Sequence, residues 1–156
     1  MSNPAKSASL PQVGCSRRAL LQGLGAAAAG IALINCVQQG SSLPTATSST
    51  CGTGLCIDLG NAANKDLIPV GGAMLIDSAH DTIMVIRASD TSVIAISAIC
   101  THAGCSMDYV AASHRLNCPC HGSQFNEQGQ AVVGPARSPL KSYTATLANN
   151  VITVAA

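Results

Sequence analysis

Apolar and polar positions divide the chain into stretches of different texture. Residues 1–15 are mostly polar and carry no periodic pattern. Behind Ser16-Arg17-Arg18 comes a run without charge, from Ala19 to Val37, rich in Ala, Gly, Leu and Ile. Gln38 to Thr53 is dominated by Gly, Ser, Thr and Pro and is also uncharged, which is the composition of a flexible linker. From Ile57 onward, short apolar runs alternate with turn residues. Asp66–Val70 reads as a strand stopped by Gly71-Gly72, Ala73–Asp77 as a second and Thr82–Ala88 as a third. Ser92–Ile99 contains V-I-A-I-S-A-I, a run so apolar that burial on both faces is expected. Met107–Val110 and His114–Asn117 suggest a hairpin, and Gln130–Val133 a further strand. Ser142–Leu147 and Val151–Val154 close the chain around a turn at Asn149-Asn150. Regular short strands without a helical period predict an all-β domain, preceded by an N-terminal apolar helix.

Composition sharpens this picture in three ways. The 156 residues include no Trp, two Tyr and one Phe, so the core must be built from small aliphatic side chains. Such a core is thin, and cross-links would reinforce it. Charge is uneven: Lys6, Arg17 and Arg18 precede Asp58 without any acid, whereas five basic residues face seven acids from there on. A mildly acidic domain argues against a nucleic-acid partner.

The chemistry is concentrated between Cys100 and Ser123. C-T-H-A-G-C runs from Cys100 to Cys105, and C-P-C-H-G-S from Cys118 to Ser123. Four of the eight cysteines and two of the four histidines fall in these boxes. Thiolates and imidazoles are the donors of soft metal sites. Six donors are two too many for one tetrahedral ion, so two serve another purpose or two metals are present. Cys100 with His102, and Cys118 with His121, give each loop one thiolate and one imidazole. Cys105 and Cys120 are left over, one per loop.

The two boxes resemble those of the Rieske iron–sulfur proteins, C-x-H-x-G-C and C-x-C-H-x-S, and the likeness extends over roughly residues 66–154. It implies a Rieske-like antiparallel β-sandwich with the two loops at one tip. It further implies a [2Fe–2S] cluster with Cys100 and Cys118 on one iron and His102 and His121 on the other. Cys105 and Cys120 would then form a disulfide clipping the loops together. Gly104 and Gly122 complete the boxes, and Ser123 is expected to donate its hydroxyl to a bridging sulfide. Gly134-Pro135-Ala136, followed by Pro139-Leu140, is similar to the family's proline loop, which covers the cluster's third side. Phe125 stands where family members often carry a tyrosine that hydrogen-bonds a ligand sulfur, and Ala103 where quinol-oxidising members carry leucine. A Cys2His2 zinc site would use the same four ligands, but gives Cys105, Cys120, Gly104 and Ser123 no shared purpose. His80 and His114 have no box around them and are expected on the surface or in hairpins.

Three segments follow: residues 1–37 as export signal or membrane anchor, 38–57 as linker and 58–156 as the cluster domain, its cluster-binding part about 99–140. Ser16-Arg17-Arg18 with the apolar run is similar to a twin-arginine export signal, with Leu20 for the usual Phe and Gln22 for Lys. A 19-residue helix would span about 28 Å, close to a bilayer's apolar core of about 30 Å. Membrane attachment is expected, through retention of this helix as an anchor or lipidation at Cys36, with cleavage near Ala26–Ala29 as the alternative that would leave a soluble periplasmic protein. Cys51 and Cys56 would bridge each other, pair elsewhere or stay free, and Cys15 precedes the run. The resemblance implies electron transfer on the periplasmic side of the cytoplasmic membrane, as the iron–sulfur subunit of a quinol–cytochrome c reductase-like complex. Its partners there would be cytochrome b- and c-type proteins and quinol. A Rieske subunit of an arsenite oxidase type and a free periplasmic carrier are the alternatives. No nucleophile–base pair is visible, so the chain is not expected to be catalytic alone.

Overall fold

The computed structural model describes residues 41–155, which build twelve strands in three four-stranded antiparallel sheets. The strands are β1 (Ser49–Cys51), β2 (Gly54–Asp58), β3 (Ala73–Asp77), β4 (Thr82–Arg87), β5 (Val93–Ser97) and β6 (Asp108–Val110). They continue as β7 (Arg115–Asn117), β8 (Gln124–Asn126), β9 (Ala131–Val133), β10 (Ser142–Tyr143), β11 (Ala145–Ala148) and β12 (Val151–Ala155). The sheet orders are β1-β2-β12-β11 at the base, β10-β5-β4-β3 in the centre and β6-β7-β8-β9 at the end that carries the two cysteine–histidine boxes.

Side-chain alternation explains the layering. Along β3, Met74 and Ile76 enter one core and Ala73 and Leu75 another. Along β4, Ile83 and Val85 face the first of these and Met84 and Ile86 the second. Successive side chains of a strand point to opposite faces, so a strand buried on both must be apolar throughout. This is the cause of the unbroken apolar run in β5, where Ala95 joins one core and Ile96 the other. The first core lies towards the base, with Ile57, Leu67, Ile152 and Val154. The second lies towards the sheet β6-β7-β8-β9, with Met107, Leu116 and Phe125.

Four expectations need revision. Asp66–Val70 is not a strand: Ala62–Leu67 forms a short 3-10 helix capped by Asn61, whose side chain accepts from the Ala63 N–H. The next residue in that helix that matters is Asn64, fully buried, which accepts from Thr47 N and donates to the carbonyls of Thr47 and Asp58. The sheet also begins inside the stretch expected as linker, because β1 and β2 pair with each other and β2 with β12. Cys51 and Cys56 bridge each other across the β1–β2 hairpin. Third, β8 is a strand that alternation over three residues is too short to reveal. Last, Ser142–Leu147 is two strands: β10 pairs with β5 and β11 with β12, the chain changing sheets at Thr144. The apolar run Ala19–Val37, the paired arginines and Cys36 lie outside the described residues. Among the described residues no helix is long and apolar enough to cross a membrane.

Candidate metal centre

The two boxes fold into a matched pair of loops. In the first, the Cys100 N–H donates to Cys105 O at 2.8 Å and the Gly104 N–H to Cys100 O at 2.9 Å. In the second, the Cys118 N–H donates to Ser123 O at 2.8 Å and the Gly122 N–H to Cys118 O at 3.0 Å. Each loop thus starts at a cysteine, closes five residues later, and turns through a glycine at the same place. Gly104 and Gly122 have φ of 70° and 77°, and nothing lies within 4 Å of a Cβ added at either. Backbone conformation, not crowding, requires glycine there. The strand geometry delivers the loops side by side: β5 leads into the first, and the β6–β7 hairpin carries the chain to the second.

This backbone sorts the six donors. Cys105 and Cys120 are bonded to each other, with Cα atoms 6.5 Å apart, and so clip one loop to the other. Cys100 and Cys118 are free thiols, 1 % and 2 % exposed. His102 and His121 lie at the surface, their ring centroids 4.8 Å apart and edge to face. The sulfur atoms of Cys105, Cys118 and Cys120 are also within 4.8 Å of one another, but two of them are spent in the disulfide. Burial pushes the Cys118 thiol above its ordinary value, and the adjacent Cys100 sulfur adds to this against backbone N–H groups of Cys120 and His121. Two neighbouring buried sulfurs become thiolates readily only beside positive charge, which a metal centre supplies. The donor set therefore fits a centre with thiolates on its buried side and imidazoles on its exposed side.

A third loop lies against both of the others. The Ala136 N–H donates to the Oγ of Ser123, which is fully buried, at 3.0 Å. The Thr101 hydroxyl donates to Ser138 O at 2.8 Å. Gly134-Pro135, a cis peptide, opens this loop, and Pro135 is exposed. The Ser123 hydroxyl accepts from Ala136 and donates to no acceptor among the described residues, so its proton is available to a bound group. Phe125 is fully buried in the same core as Cys100 and Cys118, opposite Leu116.

His80 is exposed, and His114 caps the short 3-10 turn Ala111–Ser113 with φ 52°, as expected of surface and hairpin residues. His114 is nonetheless engaged. Its Nδ1 lies 2.9 Å from Glu127 Oε1, which also accepts from the Tyr109 hydroxyl at 2.5 Å. Burial pushes the Glu127 carboxyl up, but the hydrogen bonds from Tyr109 and His114 and the charge of His114 outweigh it and hold the group below its ordinary value. Tyr109 is raised by burial and by the Glu127 carboxylate. No spacing in the sequence announces this trio, because it joins a strand, a hairpin turn and the β8–β9 turn.

Comparison with known proteins addresses the family. A family profile described as the Rieske [2Fe-2S] domain matches residues 61–144. The cytochrome b6-f complex iron-sulfur subunit of Chlorobaculum thiosulfatiphilum is 32% identical over 87 residues, 56% of this chain and 48% of that one. The chloroplastic cytochrome b6-f complex iron-sulfur subunit of Chlamydomonas reinhardtii is 54% identical over 41 residues, 26% of this chain and 20% of that one. The chain thus spans about half the length, or less, of these curated relatives. Among solved structures, a cyanobacterial plasma membrane Rieske protein from Synechocystis aligns with TM-score 0.53 and 25% identity, covering 69% of this chain and all of that one. The ferredoxin of carbazole 1,9a-dioxygenase from Nocardioides aromaticivorans aligns with TM-score 0.51 and 31% identity, covering 58% of this chain and 89% of that one.

Proposed function

Since the chain belongs to the Rieske [2Fe-2S] family, whose domain binds a [2Fe–2S] cluster, we propose that it is the electron-transfer subunit of a quinol–cytochrome c reductase-like complex. When bound, the cluster supplies one-electron redox chemistry. Cys100 and Cys118, free and buried, would hold it as thiolates, and His102 and His121, at the surface, would hold it as imidazoles. Two neutral imidazoles in place of two thiolates leave the centre less negative, so an arriving electron is repelled less and the potential is higher than with four cysteines. Ser123, whose hydroxyl proton has no acceptor among the described residues, would donate to the bound group and so favour its more negative, reduced state. The Cys105–Cys120 clip keeps the imidazoles at the tip, where a partner can approach. Work outside the cytoplasmic membrane, tethered by the segment before residue 41, fits the arginine pair, the apolar run and the two disulfides.

The matched loops with two free buried thiols and two surface imidazoles are the observation that carries this proposal. A visible and electron paramagnetic resonance spectrum of the purified chain tests it. A red-brown protein with a Rieske-type reduced signal is expected, and a colourless protein carrying one zinc would reject it. Ala103, which leaves the tip less covered than leucine, and the likeness to a dioxygenase ferredoxin favour a second reading, a carrier that relays electrons without meeting quinol. Co-purification with a cytochrome b-type subunit decides for the complex; isolation with no such partner decides for the carrier.

A further inference from the structure

Charge is sparse around the cluster-binding tip. The segments that build it, 99–107, 118–126 and 131–143, contain no carboxylate and two cations, Arg137 and Lys141. Neighbouring acids are occupied internally. Asp108 accepts from both Ser41 and Ser42, Glu127 from Tyr109 with His114 beside it, and Asp81 from Ser97 and Tyr143. Lys141 places its Nζ 4.4 Å from the centroid of the Tyr143 ring. Arg137 differs: it is exposed, and among the described residues its side chain makes no hydrogen bond or ion pair. Its backbone is nevertheless fixed. The preceding residue donates to Ser123 in the second ligand loop, and the following residue accepts from Thr101 in the first. A guanidinium without a partner among the described residues is thus mounted on a residue pinned between both cysteine–histidine loops.

We propose that Arg137 is the docking anchor of the tip, receiving a carboxylate on the surface of an acidic redox protein. The proposal rests on the cluster assignment made above and adds the chemistry of the partner. Arginine suits the task, because its planar fork can hold a carboxylate through two hydrogen bonds and carries its charge at every working pH. A single cation beside the electron exit also raises the encounter rate of anions at low salt, and screening removes the advantage.

The test uses the cluster-loaded full chain and two small oxidants of opposite charge, hexacyanoferrate(III) and tris(phenanthroline)cobalt(III). Each takes one electron from the reduced cluster, becoming hexacyanoferrate(II) or the cobalt(II) complex, with no bond made or broken in the protein. Arg137→Gln is expected to slow oxidation by hexacyanoferrate about 3- to 10-fold at low ionic strength, the difference closing in concentrated salt. The cobalt cation should react as fast or faster, Arg137→Lys should keep most of the hexacyanoferrate rate, and redox-inert hexacyanocobaltate(III) should compete in the parent but weakly in the variant. An unchanged hexacyanoferrate rate, or equal slowing with both oxidants, would overturn the anchor. A parent chain that lacks a Rieske spectrum overturns the cluster assignment instead, before any rate is measured.

Discussion

The base and the tip of this domain are held together by different means. At the base, fully buried Ile57, Leu67, Ile83, Ile152 and Val154 fill the space between two sheets, and strands of up to six residues supply long ladders. At the tip, the strands have three residues each, and the core is finished by Cys100, Cys105, Cys118 and Ala136. Apolar area is scarce there, where His102 and His121 lie exposed. Matched hydrogen bonds, a buried serine and a disulfide replace it. Each half has one disulfide, so the comparison can be made with like bonds. Cys51–Cys56 joins residues five apart in a hairpin already laddered by β1 and β2, whereas Cys105–Cys120 joins residues fifteen apart in two loops with no ladder between them.

Removing each bridge is the strongest way to break that contrast. Cys105→Ser with Cys120→Ser should cost about 3 kcal/mol from the closed-loop term, against about 2 kcal/mol for Cys51→Ser with Cys56→Ser. The larger difference is expected in the cluster. The tip variant should lose its colour within hours under conditions that leave the base variant unchanged, yet keep a Rieske-type spectrum when prepared gently without air. Thermal melting and the visible spectrum, followed together on the loaded proteins, separate the two. Equal loss of colour in both variants would mean that the clip serves only global stability.

The same contrast explains what was legible in the sequence. The tip was read from its boxes, because ligand chemistry fixes residue types and spacings, and the two loops, their glycines and the Cys105–Cys120 pairing stand where the boxes put them. The central strands β3, β4 and β5 were visible from their apolar runs, since burial on both faces leaves no other composition. What escaped depends on long-range partners. Ser49–Asp58 looks like linker and becomes sheet only because β12 is there to receive it. Asp66–Val70 looks strand-like, but Asn61 caps a short helical turn there and Asn64 ties that turn to Thr47, seventeen residues away. The split at Thr144 has no local mark, because either half alone reads as part of one strand.

A smaller effect sharpens the comparison at the β8–β9 turn, where Glu127 ties Tyr109 of β6 to His114 of the β6–β7 hairpin. With its carboxyl held below the ordinary value, Glu127 stabilises the fold above the unfolded-state range near pH 4.5, and this contribution is lost as pH falls through the lower folded-state value. Tyr109 has the opposite sense: its raised value gives stability that is complete below about pH 10 and is lost as pH rises through the folded-state value. Glu127→Gln should therefore cost about 1–2 kcal/mol at neutral pH, a hydrogen bond to a charged group being lost. The gap between parent and variant melting temperatures should narrow as the solution is acidified below pH 4.5. A gap independent of pH from 3 to 7 would show that packing, not the carboxylate, is what Glu127 contributes.

The finest probe sits where the two kinds of stabilisation meet, at Phe125. It is the chain's single phenylalanine, fully buried, and shares a core with Cys100 and Cys118. Placing a hydroxyl on that ring asks whether the core beside the sulfurs behaves as apolar filling or as part of the redox centre. A phenol facing a ligand thiolate would donate a hydrogen bond to it. The reduced centre carries one more negative charge and gains more from that bond, so reduction is favoured. A neutral hydrogen bond is worth about 1 kcal/mol net, and only its difference between oxidation states moves the potential. At about 59 mV for each tenfold change in a one-electron equilibrium, a difference of about 1 kcal/mol is roughly 40 mV. Phe125→Tyr is thus expected to raise the midpoint potential by tens of millivolts with little loss of stability, and Ser123→Ala to lower it at least as much. Should the ring face away from the sulfurs, the new hydroxyl would be buried without a partner. The melting temperature would then fall while the potential stayed in place. Measuring both quantities on this one variant decides whether the core of the tip is tuned for redox chemistry or only filled.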